Sequence, residues 1–218
     1  MDGVVIGGNA QSNRIGTNGD GVADTAEGNV ISGNRWHGIA LNTADTTGNL
    51  VAGNHIGTDV TGILPLPNVK CGIAIDNGAQ GNAIGGAASL ANTIAFNGQA
   101  GVKVAAHSPA HNGIAAANRI QANSIYANGG LGIDLGDDGV TPNDPGDVDT
   151  GPNRLQNFPV IAIAHAGSRP RVFGSLNSTP NTEFTLDFYA NTAADPSGHG
   201  EGQRWLGSAD DVTRWVEG

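Results

Sequence analysis

The sequence predicts an all-β fold: a right-handed parallel β-helix, or solenoid, with three short strands in each coil, followed by a short C-terminal β segment. Two repeated patterns support this prediction. An Asn-x-(Ile/Val) motif recurs between residues 13 and 128, and five Gly-(aliphatic)-x-(aliphatic) runs lie among its copies. Within each motif the aliphatic residues alternate with small or polar ones, as in a strand with one buried face.

The clearest copy of the repeat covers residues 118–135. Its three segments, 118–122, 123–127 and 132–135, each place aliphatic residues at alternate positions and are each followed by Asn or Gly. Asn and Gly accept the left-handed backbone of a sharp corner. Three strands separated by corners therefore make one triangular coil.

The spacing of the repeat defines the coils. The first Asn of successive coils is Asn13, Asn49, Asn82 and Asn118, at spacings of 36, 33 and 36 residues. A bare coil needs roughly twenty residues. We therefore expect the excess to form loops, at residues 18–28, 59–70 and 105–117.

Stacking of the coils follows because one coil can neither bury its aliphatic face nor pair its backbone groups alone. We expect three interior columns of aliphatic residues: Ile31, Ile56, Ile94 and Ile125; Ile39, Ile73, Val102 and Ile133; and Leu41, Ile75, Val104 and Leu135. Inward Asn residues at matching corners should bond amide to amide along the stack.

Composition excludes several other classes of protein. The net charge is −10, with only ten Lys and Arg residues, which argues against a nucleic-acid partner. The sequence contains no apolar run of the length that a membrane span needs. Cys71 is the single cysteine, so an intramolecular disulfide is excluded, and its position before the Gly72 strand favours a small corner residue.

Two regions are expected, the β-helix at residues 1–157 and a partial β-sandwich-like segment at residues 158–218. The second region shows alternation in Val172–Leu176 and Phe184–Tyr189. The chain enters a repeat strand at once, with neither a signal peptide nor a capping repeat. We therefore expect an internal piece of a longer protein, with self-association through open solenoid ends.

A family resemblance rests on four stretches of the chain: Gly28–Asn34, Asn54–Gly62, Gly129–Gly146 and, in the tail, Gly174–Asn191. The first three stretches resemble bacterial right-handed parallel β-helix repeat proteins of the pectate-lyase-like superfamily. The tail is similar to the domain that often follows in large exported or surface proteins of this type. The resemblance implies a secreted or cell-surface protein and a polysaccharide or oligosaccharide as partner. The superfamily includes polysaccharide lyases, glycoside hydrolases, epimerases and non-catalytic adhesins, so it specifies the fold more closely than the activity.

Candidate substrate-binding residues come from the outward positions of the strands, where polar side chains concentrate in the last two coils. They are Lys103, Arg119, Gln121 and Tyr126, beside Asp134. Such a row suits an extended polysaccharide lying along the solenoid axis. An alternative for Lys103 and Asp134 is a cross-strand ion pair that needs no ligand.

Six aspartates lie between residues 134 and 149, and three interpretations of them stay open. Asp134 with Asp137 or Asp138 could supply the two carboxylates that cleave a glycosidic bond. Asp144, Asp147 and Asp149 offer oxygen ligands on a flexible loop, as Ca²⁺ prefers. The third interpretation is a solvated turn that needs neither role.

Two functional hypotheses remain. One is a carbohydrate-active enzyme, a glycosidase that uses carboxylate acid/base chemistry and requires no cofactor other than an optional calcium ion. The other is a non-catalytic surface or adhesin module that binds glycans or proteins. The sequence shows no lyase-type constellation of Arg or Lys beside a Ca²⁺-binding strand, which makes lyase chemistry the weaker enzymatic reading.

Overall fold

The computed structural model describes residues 1–106, 113–165, 167, 171–195 and 197–212. In this part of the chain, three parallel sheets run along a solenoid, and each coil contributes one strand to each sheet. Sheet A contains β1 (Val4–Ile6), β4 (Ile39–Asn42), β7 (Ile73–Asp76), β10 (Val102–Val104) and β13 (Ile133–Leu135). Sheet B contains β2 (Arg14–Gly16), β5 (Leu50–Ala52), β8 (Ala83–Gly85) and β11 (Arg119–Gln121). Sheet C contains β3 (Val30–Ile31), β6 (His55–Ile56), β9 (Thr93–Ala95) and β12 (Ser124–Tyr126).

The strand register confirms the predicted aliphatic columns. In sheet C, Ile31 pairs with Ile56, Ile56 with Ile94, and Ile94 with Ile125. Both predicted columns of sheet A are likewise in register through β4, β7, β10 and β13. The side chains in the middle of each column are fully buried, so the aliphatic columns are the core of the solenoid. The prediction of an interior position is wrong for Ile133, which lies in the last coil and is 42% exposed because no further coil covers it.

Three ladders of asparagine follow the corners of the solenoid, as the sequence predicts. Their members are Asn13, Asn49, Asn82 and Asn118; Asn29, Asn54, Asn92 and Asn123; and Asn34, Asn68, Asn97 and Asn128. Where successive amides bond, the Nδ2 group of one Asn donates to Oδ1 of the Asn in the next coil, over 2.8–3.1 Å. The ladders therefore have a direction, and their donors point to the C-terminal end of the stack.

The conformation of the corners differs from the sequence prediction. The ladder Asn residues were expected to take the left-handed backbone, but in most corners the residue before the Asn takes it. Ala122 (φ 58°), Ala127 (φ 53°) and Phe96 (φ 60°) are examples that lack the freedom of glycine. The physical reason is that each ladder Asn must align its amide and its backbone N–H with the next coil, so the chain turns one residue earlier.

The C-terminal region forms two antiparallel hairpins. One pairs β14 (Val160–His165) with β15 (Arg171–Ser175), and the other pairs β16 (Glu183–Ala190) with β17 (Arg204–Val212). The strands β15 and β16 agree with the alternating segments seen in the sequence. Every residue of β14 and β15 is exposed, so this hairpin has little core of its own.

The second hairpin and the loop inside it close the C-terminal end of the solenoid. Glu201 accepts hydrogen bonds from the backbone N–H and the Nδ2 group of Asn128, the latter at 2.8 Å. The Gly202 carbonyl accepts the Ile125 N–H at 2.8 Å, and Asp187 accepts the Ala122 N–H at 2.9 Å. We call residues 183–205 the cap, because they supply the acceptors that a further coil would otherwise supply.

Short helical turns complete the described structure. They are α1 (Asp24–Glu27) and two 3₁₀ turns at Ala88–Leu90 and Pro152–Leu155. Asn153, in the last of these turns, accepts the Asn118 N–H at 3.0 Å and so ends the first ladder. Among the described residues, no helix has the length and apolar character that crossing a membrane demands.

Candidate functional site

The predicted substrate contact Lys103 lies on the outer face of sheet A but is only 3% exposed. Its Nζ atom lies 3.4 Å from Asp76 Oδ2 and 3.3 Å from Asp137 Oδ2. Burial alone would lower the pKa of Lys103, but the charges of Asp76 and Asp137 outweigh it and raise that pKa. The Lys103 side chain is thus buried and ion-paired, and it is not exposed to solvent.

The sequence offered an ion pair between Lys103 and Asp134 as the alternative to substrate binding. Lys103 does form ion pairs, but not with Asp134. Lys103 and Asp134 are neighbours in the register of β10 and β13, as expected. The ion pairs of Lys103 nevertheless run diagonally, to Asp76 and to the loop residue Asp137. A lysine side chain is long enough to pass its direct neighbour, so register alone did not identify its partners.

The candidate catalytic aspartates lie together at the C-terminal end of sheet A. Asp134 is 9% exposed, and its Oδ1 atom accepts the backbone N–H of Asp137 at 3.1 Å. Burial raises the pKa of Asp134. Asp138 is exposed and its carboxylate lies close to Gly136. The cluster therefore contains Asp134, a largely buried carboxyl group whose pKa is raised, beside Asp137, a carboxylate that is paired with Lys103.

Tyr126, like Lys103, was predicted to contact substrate but makes contacts within the protein instead. Its hydroxyl donates to the Gly62 carbonyl at 2.7 Å, and its ring packs edge-on against Phe96 at 5.5 Å between centroids. These contacts fasten the loop of residues 59–66 to the outer face of sheet C. The side chain acts as a loop anchor in this arrangement.

Arg119 and Gln121 lie on the outer face of sheet B, in its last strand β11. Arg119 is exposed and Gln121 is half-buried. A Cβ atom at Gly86 would lie 3.1 Å from the Arg119 guanidinium, which places that guanidinium over the start of the loop 86–91. These two predicted contacts thus keep access to solvent.

A cleft of about 300 Å³ lies where the last coil meets the cap. Ala88 and Ala91 line it from the loop between β8 and β9, Ala122 and Ser124 from the corner between β11 and β12, and Gln203, Arg204 and Trp205 from the cap. The lining thus combines small residues of the coil with polar and aromatic residues of the cap.

Asp187 fixes the geometry of this cleft. One of its oxygens accepts the Trp205 Nε1–H at 3.2 Å, and the other accepts the Ala122 N–H at 2.9 Å. The indole ring and the corner of the coil are therefore tied to the same carboxylate. The Ser124 hydroxyl adds a further bond to the Gln203 carbonyl at 2.5 Å.

The acidic loop brings Asp144, Asp147 and Asp149 together, with one oxygen of each within 4.8 Å of the others. Asp144 Oδ1 and Asp149 Oδ1 are buried and have no hydrogen-bond partner. Burial, followed by the charges of Asp144 and Asp147, raises the pKa of Asp149. Orphaned carboxylate oxygens that repel one another fit the donor set of a hard cation such as Ca²⁺.

The backbone of this loop is held by Asn157, which is 3% exposed. The Asn157 Nδ2 group donates to the carbonyls of Asp144 and Asn177, both at 2.7 Å. Asp147 accepts the Asn157 N–H at 2.9 Å and also bonds the Ser178 hydroxyl. The acidic loop therefore joins the end of the solenoid to the C-terminal region.

Sequence reasoning missed Arg204 and Trp205, which line the cleft from the cap, and Asp187, which fixes the position of Trp205. Trp205 lies in β17, whose partner β16 does show alternation in the sequence. A tryptophan opposite the alternating segment 184–189 is the one signal that could have pointed to this strand.

No protein-family model matches the chain, and neither a curated protein nor a solved structure matches it significantly. The fold defines it as a parallel β-solenoid with a cap at its C-terminal end.

Proposed function

We propose that the chain is a non-catalytic, glycan-binding solenoid module of an exported or cell-surface protein. The supporting observation is the cleft of about 300 Å³ between the last coil and the cap, which Trp205, Gln203 and Ser124 line together with small residues. Ligand sites combine an apolar or aromatic lining with a few convergent polar groups, and this cleft has both. The resemblance to bacterial β-helix proteins of the pectate-lyase-like superfamily favours a carbohydrate as the ligand.

The proposal of a module rather than an enzyme is supported by the contacts of two predicted substrate-binding residues, Lys103 and Tyr126. Lys103 is buried between Asp76 and Asp137, and the Tyr126 hydroxyl is bonded to Gly62. Side chains that already have partners within the fold would have to break those contacts before they could bind a sugar. The solenoid itself, with its buried columns and ladders, suits a rigid support.

The test combines binding and turnover in the same samples. The chain is run by affinity electrophoresis through gels that contain a panel of polysaccharides, and the same polysaccharides are assayed for new reducing ends. We expect retardation by at least one glycan without release of reducing sugar. Failure of every glycan to retard the chain would refute glycan binding.

A glycosidase is the second candidate, and the pair Asp134 and Asp137 is the observation that favours it. A glycosidase needs one carboxyl group that holds a proton and one carboxylate. Burial raises the pKa of Asp134, which makes it the candidate for the acid, and Asp137, which is paired with Lys103, is the candidate for the carboxylate. The test compares aryl-glycoside turnover by the parent with that of Asp134→Asn and Asp137→Asn, with exposed Asp45→Asn as control. Turnover that only the first two changes abolish would replace the module by an enzyme.

We further propose that the acidic loop of Asp144, Asp147 and Asp149 binds Ca²⁺. The two charges of the ion would offset most of the charge of the three carboxylates, and the ion would supply a partner to the orphaned oxygens of Asp144 and Asp149. Because the loop is bonded to Asn177 and Ser178, the ion would also strengthen the junction to the C-terminal region.

A ligand that binds only the folded state raises the melting temperature, so Ca²⁺ should raise it for the parent. Asp149→Asn should remove most of this rise, whereas Asp138→Asn, outside the loop, should keep it. An equal response of the parent and Asp149→Asn would place the calcium effect elsewhere.

A further inference from the structure

We infer that the chain forms a two-fold dimer through an exposed apolar patch on the side of the solenoid. The patch consists of large apolar residues from the loop after β6 and from the neighbouring corner: Trp36, Val60, Ile63, Leu64, Leu66 and Val69. None of these residues lines the cleft at the cap, so the dimer goes beyond the proposed glycan-binding function.

The size of the patch is unusual for a monomer. Its six residues are each 46% to 74% exposed and together present about 650 Å² to solvent, whereas the largest apolar patch of a typical monomer covers about 300–600 Å². Each partner of a standard stable interface contributes about 800 Å². The patch therefore supplies most of the area that a stable dimer needs.

Backbone hydrogen bonds join the loop to the corner, so the patch is continuous. The Gly33 N–H donates to the Leu66 carbonyl at 3.2 Å, and the Lys70 N–H donates to the Trp36 carbonyl at 3.1 Å. Leu66, Trp36 and Val69, which precedes Lys70, therefore lie together at the corner between sheets C and A. The rest of the loop continues from this corner across the outer face of sheet C.

The loop that carries most of the patch is held by its own hydrogen bonds. Asp59 Oδ1 accepts the N–H groups of Thr61 and Leu64, both at 3.2 Å, and the Gly62 carbonyl accepts the Tyr126 hydroxyl. These bonds satisfy polar groups of the loop and leave its apolar side chains on the outside. A loop that is ordered before binding loses little conformational entropy when a partner covers it.

The charges beside the patch favour a second copy of the chain as the partner. The edge toward sheet A carries the exposed Arg35 and the half-buried Lys70, and the edge toward sheet B carries the exposed Asp20 and Glu27 in the loop before β3. Neither Arg35 nor Lys70 forms an ion pair among the described residues. One surface thus carries opposite charges at its two edges.

A two-fold axis parallel to the solenoid axis brings these edges together. Rotation about this axis places the sheet A edge of one copy against the sheet B edge of the other, so that basic residues face acidic ones. In such an isologous interface every contact occurs twice. The same axis keeps both solenoids pointing in one direction, so both caps lie at the same end of the dimer.

Sedimentation velocity over a series of concentrations measures the mass of the full chain in solution. We expect a monomer of 21.9 kDa at the lowest concentrations and a dimer of twice this mass at the highest. Ile63→Asp introduces a charge into the patch and should weaken the dimer by about thirty-fold or more, as loss of a hot spot does. Ile161→Asp is the matched control and should leave the dimer unchanged, because Ile161 is a similarly exposed isoleucine of β14 outside the patch.

Charge reversals test the arrangement of the two copies. Arg35→Glu and Glu27→Lys should each weaken the dimer about five-fold, because each replaces attraction by repulsion at the edges of the interface. The variant with both changes should regain most of the affinity, since its edges are again opposite in charge. Circular dichroism spectra that match the parent's verify the fold of every variant.

Other outcomes would contradict the dimer or its geometry. A chain that stays monomeric at every concentration would overturn the inference, and the patch would then be assigned to a different protein or to a lipid surface. A dimer that survives Ile63→Asp would show that the contact lies elsewhere, and masses that grow beyond the dimer would indicate end-to-end stacking of solenoids instead. A double charge variant as weak as the single ones would refute the two-fold axis proposed here.

Discussion

The solenoid and the first C-terminal hairpin are both built from short apolar strands, yet they bury them very differently. Ile94 in sheet C is fully buried, whereas Ile163 in β14 is 52% exposed. Both are isoleucines in strands with paired neighbours. The difference is that Ile94 has equivalent residues above and below it and two other sheets facing it, and the hairpin of β14 and β15 has neither. Stacking of coils, more than strand pairing, creates the core.

A second difference concerns how each region is fastened. The coils are joined by the aliphatic columns and the asparagine ladders. Each contact in them is repeated between other pairs of coils. The cap is fastened by single groups such as Asp187 and Glu201. Single substitutions in the core, the ladders and the cap should therefore lower the free energy of unfolding by different amounts. The following predictions run from the largest expected effect to the smallest.

Replacement of one core isoleucine should give the largest effect. Ile94→Ala removes three carbons from a fully buried position and should lower the free energy of unfolding by about 4 kcal/mol. Ile163→Ala, at the exposed hairpin, should lower it by only about 0.5 kcal/mol. Urea unfolding measures both. Similar losses at the two positions would show that the hairpin has a core of its own.

Interruption of an asparagine ladder should follow. Asn82→Ala removes the shared acceptor of the Asn49 backbone N–H and Nδ2 groups and one of the two donors to the Thr46 carbonyl in a buried corner, at a cost of about 3 kcal/mol. Asn13→Ala removes the same type of residue from the exposed start of the same ladder and should cost less than about 1 kcal/mol. Equal costs would mean that the ladder adds no stability beyond its local corner.

The cap should show an intermediate effect. Glu201→Ala leaves the backbone N–H of Asn128 without an acceptor and removes one of the acceptors of its Nδ2 group, which should cost about 1–2 kcal/mol. Hydrogen exchange of the Asn128 amide should become faster. Glu201→Gln keeps an acceptor oxygen and should retain most of the protection. If neither change alters exchange at Asn128, the cap does not protect the end of the solenoid.

The smallest effect is a dependence on pH at Asp134. Its raised pKa means that the folded chain binds this proton more tightly than the unfolded chain does. The parent should therefore lose stability as the pH rises from below the unfolded pKa of about 3.9 through the raised folded pKa. Asp134→Asn cannot lose a proton there, so its stability relative to the parent should increase over that interval. Parallel pH profiles of the two proteins, from urea unfolding, would contradict this.

The sequence predicted the solenoid well because its determinants repeat. Ile31, Ile56, Ile94 and Ile125 recur at matching positions of successive coils, so their common column follows from the pattern alone. The Asn ladders follow for the same reason. The acidic triad was also predictable as a cluster, since its three residues lie within six positions of the chain.

The cap and the buried cation were not predictable in this way. Glu201 reaches back 73 residues to Asn128, and this contact has no copy elsewhere in the chain that could reveal it. Lys103 occupies an outward strand position, which normally means exposure, but diagonal contacts to Asp76 and Asp137 enclose it. The alternation of residues predicts on which face of the sheet a side chain lies. Whether that face is exposed to solvent depends on the surrounding loops.

The most direct test of the binding account observes the indole N–H signals of the ¹⁵N-labelled chain during titration with an oligosaccharide of a glycan that retards the chain in affinity electrophoresis. The chain has three tryptophans. Variants in which Trp36 or Trp205 is replaced by Phe assign the signals of these two. The account predicts a progressive shift of the Trp205 signal, an unchanged signal of the exposed Trp36, and no oligosaccharide cleavage. A Trp205 signal that stays still at saturation, or cleavage of the oligosaccharide, would contradict it.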